Sequence, residues 1–339
     1  MSKKYQKSEE KRRKQKNALI YLGVFLLVAI IGVVVILLVD NHEDNTKHNR
    51  TDKIVKIGGV SCMPKQNIET YLFMGVDVRG KVSEDMKDNP GQADVLMVLV
   101  IDREKNTYAL LPLNRDTITD VDSLDEKNGN YLATTKIQLA LAHANGNGQE
   151  QSCDNTVSAV SNLLHDQYID GYAALNMDGI KIINHEVGGV PVKIEDDFSK
   201  TDKTLKRGKT IKLNDEQAYH YVHDRWDVAD ETNVNRMKRQ DRYMSSLKDI
   251  VTKLTKANAK FPVQLFKKLD DYMVTSLRGN DISKISKAVM KNKYLGKFEI
   301  KGKSKIDEYD LNAFYYNQKS LDDVVRTLFY DEVKDETTK

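Results

Sequence analysis

The chain has 339 residues, with 53 Lys and Arg against 50 Asp and Glu and only two cysteines. This length can hold one large domain or two small ones with a sizeable core. The formal net charge of +3 is unevenly distributed along the chain. Residues 1–16 hold eight Lys or Arg and two Glu, a local charge of +6, so the charges of the remaining residues sum to −3. The bulk of the chain therefore lacks the broad basic field that is typical of nucleic-acid-binding proteins.

The first predicted element is a transmembrane helix over residues 18–39, a run of 22 uncharged residues. At about 1.5 Å per residue it spans a hydrocarbon core of roughly 30 Å. No small-residue cleavage site precedes Asp40, so the run is interpreted as an uncleaved signal-anchor. The basic tail, residues 1–17, is expected in the cytoplasm and residues 40–339 outside the cell, in a single-pass topology.

Residues 40–66 are polar and predict an extracellular linker. Both cysteines, Cys62 and Cys153, then lie in an oxidising compartment, where an even count permits one disulfide between them. Their spacing fits no zinc-binding pattern.

Three short apolar runs follow, YLFMGVD (71–77), DVLMVLVID (94–102) and YALLPLNRD (108–116). Each is typical of a buried strand, because it is rich in Val, Leu and aromatic residues without a helical stripe. In an up-down-up antiparallel meander they bring Asp77, Asp94 and Arg115 to one edge of a sheet.

Two carboxylates and an arginine at such an edge indicate a cation and a phosphate. Mg²⁺ is commonly held by one or two carboxylates together with substrate phosphates, and the fork of Arg115 matches phosphate oxygens. The alternative is that these are ordinary strand ends that reach water. The long connection over 78–93 favours a functional site.

The rest of the chain alternates helices and strands, which predicts an α/β sheet covered by helices. Asn155 is a candidate N-cap for a helix over 155–164, and Asn214 with Gln217 forms a capping-box pattern. Further elements are predicted as helices over 178–187 and 235–254 and a strand over 190–198. Residues 67–255 are expected to form the catalytic domain and residues 256–339 a mostly helical C-terminal extension.

In the helix over 235–254, Arg236, Arg239 and Gln240 are spaced i, i+3 and i+4, so they share one face. Arg236 lies at the helix start, where unpaired N–H groups also favour anions.

Taken in order, these segments resemble the LytR-CpsA-Psr family of bacterial cell-envelope proteins. The resemblance covers residues 71 to about 245, behind an anchor with the same topology. The matching pieces are FMGVDVRG, QADVLMVLVID, NRDT, DGIKIINHEVGGVPV, LNDEQAYHYV and NRMKRQ.

The resemblance implies a three-layer fold, a central mixed β-sheet flanked by helices. It also implies a metal-dependent phosphotransferase of the cell membrane, a ligase that moves a glycopolymer such as teichoic acid or capsule from a polyprenyl-pyrophosphate lipid to peptidoglycan. Mg²⁺ or Mn²⁺ is the implied cofactor, with Asp77 and Asp94 as its ligands. Catalysis is assigned to these two residues with Arg115 and Arg225. The implied pyrophosphate contacts are Arg79, Arg115, Arg225, Arg236, Arg239 and Gln240.

Three positions depart from the family pattern. The family often has arginine where this chain has His223, often an acid where it has Asn233, and usually arginine where it has Gln92. Two alternatives therefore stand beside the transferase: a pyrophosphatase acting on the same lipid, and a non-catalytic protein that binds lipid-linked polymer. Direct gene regulation is not expected, because the predicted cytoplasmic part has only about sixteen residues and is too short for a DNA-binding fold.

Overall fold

The structure is a computed structural model, and it describes residues 53–82, 90–125, 127–224, 227–228, 233–258, 260–306 and 312–333. The predicted transmembrane helix, residues 18–39, lies outside this part of the chain. Within it, no helix has both the length and the apolar character needed to cross a membrane.

The predicted meander forms the centre of the fold. Strands β3 (Ile68–Val76), β4 (Ala93–Asp102) and β5 (Thr107–Leu113) pair antiparallel in sequence order. Their apolar runs are nearly continuous because both faces of the sheet are covered. The prediction of three buried strands in up-down-up order is confirmed.

Three more strands complete a six-stranded mixed sheet in the order β11-β8-β3-β4-β5-β12. Strand β8 (Gly171–Asn176) runs parallel to β3, and β11 (Met273–Thr275) pairs antiparallel with β8. Strand β12 (Lys293–Lys297) runs parallel to β5 at the other edge. The mixed sheet agrees with the predicted fold class.

Helices cover both faces of the sheet and make three layers. One face, which presents Phe73 and Leu99, packs against α3 (Gly179–Glu186), α4 (Asp215–His223), α5 (Asn233–Ala257), α6 (Phe261–Lys268) and α7 (Gly279–Lys291). The opposite face, which presents Leu72 and Leu96, packs against α1 (Leu141–Ala144), α2 (Gln149–Leu163) and α8 (Gln318–Phe329). Each sheet face holds alternate residues of the same strands because side chains alternate with a period of two.

Smaller sheets surround this core. They are β1 (Val55–Ile57) with β2 (Val60–Pro64) and β15 (Tyr330–Glu332), the hairpin β6 (Ile118–Leu124)–β7 (Tyr131–Gln138), the hairpin β9 (Pro191–Lys193)–β10 (Thr210–Lys212), and β13 (Gly302–Ile306) with β14 (Asn312–Tyr316). A 3₁₀ turn over Asp270–Tyr272 precedes β11.

Two expectations need correction. Helix α2 begins at Gln149, so Asn155 is not its N-cap; the Asn155 side chain instead donates to the carbonyls of Asp122 and Ala142, at 2.8 and 2.7 Å. The segment 256–339, predicted as a mostly helical extension, also supplies five strands, and β11 and β12 are the two edges of the central sheet. These strands are short, and three of them, β11, β12 and β15, pair with strands that are distant in sequence, so no local periodicity predicts them.

Candidate active site at the rim of the central sheet

The end of β3, the start of β4 and the end of β5 meet at one rim of the sheet. The register pairs Val76 with Ala93 and Leu96 with Leu113. Asp77, Asp94 and Arg115 are within two residues of these pairs and therefore lie at the same edge of the sheet. We call Asp77, Gln92, Asp94 and Arg115 the rim cluster.

Arg115 lies at the centre of the rim cluster. Its Nη1 donates to Asp94 Oδ1, and its Nη2 donates to Gln92 Oε1 at 2.5 Å. The buried Nε lies 3.4 Å from Asp116 Oδ1 but makes no hydrogen bond. The Arg115 side chain is 27% exposed and that of Asp94 43%, so this guanidinium is held in one orientation and still reaches solvent. Each Nη carries a second N–H group that can donate a hydrogen bond to a phosphate oxygen.

Asp77 is tied to the same loop that carries Gln92. Its Oδ1 accepts a hydrogen bond from the Gln92 N–H at 2.5 Å, and its own N–H donates to the Gln92 carbonyl at 3.1 Å. Gly91 has φ of +70°, and a Cβ there would lie 2.5 Å from Val78 Cγ1 and 2.8 Å from Asp77 Oδ1. Only glycine fits this close turn, and the turn holds the Asp77 carboxylate toward the rim.

His143, in α1, supports the turn from the interior. Its Nδ1 lies 3.1 Å from the Gly91 carbonyl, and since a carbonyl only accepts, Nδ1 is the protonated nitrogen. Burial lowers the pKa of His143, which favours the neutral ring. Sequence reasoning overlooked this residue, because it lies in the apolar patch IQLALAHA and reads as core.

Arg79 extends the rim toward α4. Its guanidinium carbon lies 4.9 Å from the centre of the Tyr219 ring, a cation–π distance, and His223 stacks on the same ring at 4.9 Å. The next residue, Gly80, donates its N–H to Asp178 Oδ2 at 2.7 Å. The sequence singled out Arg79 and His223, whereas the roles of Tyr219 and Asp178 depend on contacts between distant segments.

Asp224 ends α4 beside this stack. Its two carboxylate oxygens accept hydrogen bonds from His220 Nδ1 at 2.8 Å and His223 Nδ1 at 3.1 Å. Burial raises the pKa of Asp224, but the hydrogen bonds from His223 and His220 outweigh burial and hold the pKa below its ordinary value. Asp224 is therefore a carboxylate at neutral pH.

The predicted role of Arg239 as a pyrophosphate contact needs correction. Its side chain is only 1% exposed. Its Nε donates to the Tyr221 carbonyl at 2.8 Å, its Nη1 to Asp196 Oδ2 at 3.0 Å, and its Nη2 to the Asp224 carbonyl. All three nitrogens of the fork are thus bound to the protein, so Arg239 joins α5 to α4 and to the segment that follows β9 instead of facing a ligand. Periodicity places a residue on a helix face but does not say what covers that face.

Three other predicted contacts remain predictions. Arg225 lies outside the described residues, and so do the side chains of Arg236, Gln240 and Asn233, whose backbone belongs to α5.

The disulfide prediction also needs correction, because Cys62 and Cys153 are both free thiols and fully buried. Cys62 Sγ contacts the Val60 carbonyl at 3.3 Å, and Cys153 Sγ lies 3.8 Å from His143 Nε2. Burial raises the pKa of both thiols. Each cysteine therefore behaves as a small core residue with its own set of neighbours.

Asp77 and Asp94 are the rim residues with the chemistry to hold a metal. Within the described part of the chain, no group of three or more His, Cys, Asp or Glu side chains could enclose an ion. Two carboxylates fit the pattern of Mg²⁺ sites that are completed by water and substrate phosphate oxygens, and not that of an all-protein cage.

Comparisons with known proteins agree with this architecture. TagU from Bacillus subtilis (strain 168), a polyisoprenyl-teichoic acid–peptidoglycan teichoic acid transferase, is 25% identical over 338 residues, which are 94% of this chain and 97% of the relative. The crystal structure of B. subtilis TagV superposes with a TM-score of 0.53 at 23% identity, covering 78% of this chain and 97% of TagV. TagT bound to LIIa-WTA gives a TM-score of 0.52 at 18% identity, covering 86% and 98%. The LytR_cpsA_psr family model matches residues 33–329, and with most of its length matched, the chain belongs to that family.

Proposed function

We propose that this chain is a phosphotransferase that moves a glycopolymer phosphate from a polyprenyl-pyrophosphate lipid to peptidoglycan during cell wall assembly. The observation that carries the proposal is the rim cluster, where Arg115 is oriented by Asp94 and Gln92 beside Asp77. Such a cluster suits a pyrophosphate, and the curated relatives are named as teichoic acid transferases.

In this reaction Arg115 binds a phosphoryl oxygen through the second N–H group of each Nη and stabilises the charge that develops as the bond to the leaving lipid phosphate breaks. Asp94 and Gln92 hold the fork in place beforehand, so little reorganisation accompanies the step. Arg79 adds positive charge at the other end of the rim.

Asp77 and Asp94 would hold a magnesium or manganese ion at the pyrophosphate. A bound Mg²⁺ supplies Lewis-acid stabilisation of phosphate charge at this position. Within the described chain, Asp77 Oδ2 accepts no hydrogen bond and Asp77 is exposed, so this oxygen is available to a metal ion.

The test of function uses the full-length chain in detergent, a polyprenyl-pyrophosphate-linked glycopolymer with a labelled sugar, and peptidoglycan. Label bound covalently to peptidoglycan supports the transferase. Label released as free polymer phosphate supports the pyrophosphatase, and lipid-linked polymer that binds without reacting supports a binding protein.

The metal proposal has its own test. Asp77→Asn and Asp94→Asn should raise the Mg²⁺ concentration needed for half-maximal transfer, because each removes a charged oxygen ligand. Asp120→Asn is the matched control, since Asp120 pairs with Lys136 on the β6–β7 hairpin. Full transfer in excess chelator would refute the metal dependence.

The proposed location is the outer face of the cell membrane, with residues 18–39 as a single anchor and residues 1–17 in the cytoplasm. The basic tail before the apolar run and Asp40, Glu43 and Asp44 after it support this orientation. Protease added to intact protoplasts should degrade the chain to a short anchored stub, whereas a protected full-length chain would overturn the topology.

A further inference from the structure

A polar cleft that shares no residue with the rim cluster lies between the hairpin β9–β10 and helix α5. It has a volume of about 650 Å³ and is open to solvent. The residues that line it are Lys193, Ile194, Glu195, Asp196, Arg207, Gly208, Lys238 and Arg242. Six of these eight are charged.

The hairpin forms one wall through its alternating pattern. Ile194 is fully buried, so its neighbours Lys193 and Glu195 both face solvent. The Gly208 N–H donates to the Ile194 carbonyl at 2.7 Å, which places Arg207 across the hairpin from these two residues. Gly208 has φ of +84°, so the turn that delivers Arg207 requires glycine.

Helix α5 forms the other wall. Lys238 and Arg242 are spaced i and i+4 and therefore lie on one face of the helix. Arg242 Nη2 pairs with Glu195, and the buried Arg239 pairs with Asp196 at 3.0 Å. Both carboxylates of the cleft are thus already bound to arginines.

Positive charge remains after these pairs are made. The cleft is lined by four cations and two carboxylates, a net charge of +2, although the chain after residue 16 sums to −3 (+3 for the whole chain less +6 for residues 1–16). Neither Lys193 nor Arg207 forms an ion pair within 4 Å with another described residue, although hydrogen bonds from Ser199 lower the pKa of Asp197 and Arg207 adds to that lowering. A local positive field on a chain segment that is otherwise acidic indicates an anionic ligand.

The cleft is also linked to the proposed pyrophosphate site. The Tyr221 hydroxyl donates to the Lys193 carbonyl at 3.4 Å, and the Tyr221 carbonyl accepts from Arg239 Nε. Tyr221 lies in α4, two residues before His223 of the Arg79 stack. Helix α5 carries Lys238 between Arg236 and Gln240, the two residues of this helix that are still predicted to contact the pyrophosphate.

From this geometry we propose that the cleft binds phosphodiester groups of the polymer being transferred, beyond its pyrophosphate end. The proposal depends on the proposed function for the identity of that polymer. A mostly apolar lining is typical of small-molecule pockets, whereas an open cleft with separated cations suits a repeating polyanion, whose successive phosphates meet Lys193 and Arg207.

Direct binding tests the cleft without requiring catalysis. The probe is a fluorescent polyol-phosphate oligomer of about ten units, mixed with the full-length chain in detergent at low salt. Lys193→Gln/Arg207→Gln should raise the Kd about three- to tenfold, because two exposed charge contacts are lost. Lys291→Gln/Lys293→Gln, which removes two exposed cations at the β12 edge, should leave the Kd unchanged.

Competitors identify the ligand. Unlabelled oligomer should displace the probe at far lower phosphate concentration than inorganic phosphate, because several cations act on one chain. If inorganic phosphate displaced the probe at the same total phosphate concentration as the oligomer, the cleft would be a site for a single anion, and the proposed polymer subsite would be wrong. Displacement by anionic muropeptides but not by the oligomer would assign the cleft to the acceptor and also overturn the proposal.

Transfer kinetics then separate this inference from the proposed function. The ratio of KM for a long-chain donor to KM for a lipid-linked disaccharide should rise three- to tenfold in Lys193→Gln/Arg207→Gln, by the same loss of exposed contacts. An unchanged ratio in an active enzyme would refute the cleft alone. Absence of transfer from both donors in the unaltered chain would refute the proposed function, while the binding result would still decide the cleft.

Discussion

Replacement of Arg115 by alanine gives the sharpest test of the rim cluster. Arg115→Ala removes the fork that Asp94 and Gln92 orient, and with it a hydrogen bond to a charged phosphate oxygen. Such a contact contributes roughly 1.5–3 kcal/mol, so we expect the rate of glycopolymer transfer to fall roughly 10- to 150-fold. Arg115→Lys should retain part of the rate, because lysine keeps the charge but not the planar fork.

The domain should stay folded in this variant. Asp94 is 43% exposed and Arg115 27% exposed, so the lost ion pair is partly screened by water and should cost at most about 1 kcal/mol of unfolding free energy. Thermal unfolding of the full-length chain, measured beside the transfer assay, separates the two effects.

Arg103 provides the matched control. It lies at the opposite end of β4, its side chain is 32% exposed, and its Nη2 and Nε donate to Glu69 at 2.5 and 2.9 Å. Arg103→Ala therefore removes a similarly exposed and similarly paired arginine from the far rim of the same sheet. We expect transfer close to that of the unaltered chain. Equal rates for Arg115→Ala and Arg103→Ala, whether both normal or both low, would refute the placement of the active site.

Three further predictions concern buried groups. Arg239→Met should lower the free energy of unfolding in urea by about 3–5 kcal/mol, because Asp196 loses its buried partner. The double variant Arg239→Met/Asp196→Asn should lose less unfolding free energy than Arg239→Met. A loss below about 1 kcal/mol in Arg239→Met would contradict the structural role of Arg239. A thiol reagent should react only slowly with the native chain, because both thiols are buried. After denaturation it should modify two thiols, Cys62 and Cys153; no reaction in denaturant would reveal a disulfide. The pKa of Asp224 is lowered on folding, so its stabilising contribution is present above the ordinary value of 3.8 and is lost as the pH falls through the lower folded value. Urea unfolding should therefore show that the stability gap between the unaltered chain and Asp224→Asn is constant from pH 5 to about 4 and narrows at lower pH; a gap that widens on acidification would reverse the assigned sign.

Local sequence determined the elements that create the rim cluster. The three apolar runs are long enough and apolar enough to be strands on their own evidence, and their order along the chain places Asp77, Asp94 and Arg115 at one edge. The sequence also predicted the capping box of Asn214 and Gln217, and the structure contains both of its hydrogen bonds. Such features are readable because their determinants lie within a few residues of one another.

Tertiary packing decided what each polar side chain meets. Arg239 and Gln240 are adjacent in one motif, yet the Arg239 fork is closed by Tyr221, Asp224 and Asp196, which come from two other segments. Gln92 orients Arg115 although it lies before β4 in the chain, and His143 supports the loop from a patch that reads as core. Periodicity reports which face of an element is buried, but hydrogen-bond partners and charge pairs depend on contacts between residues far apart in sequence, and these exist only once the chain has folded.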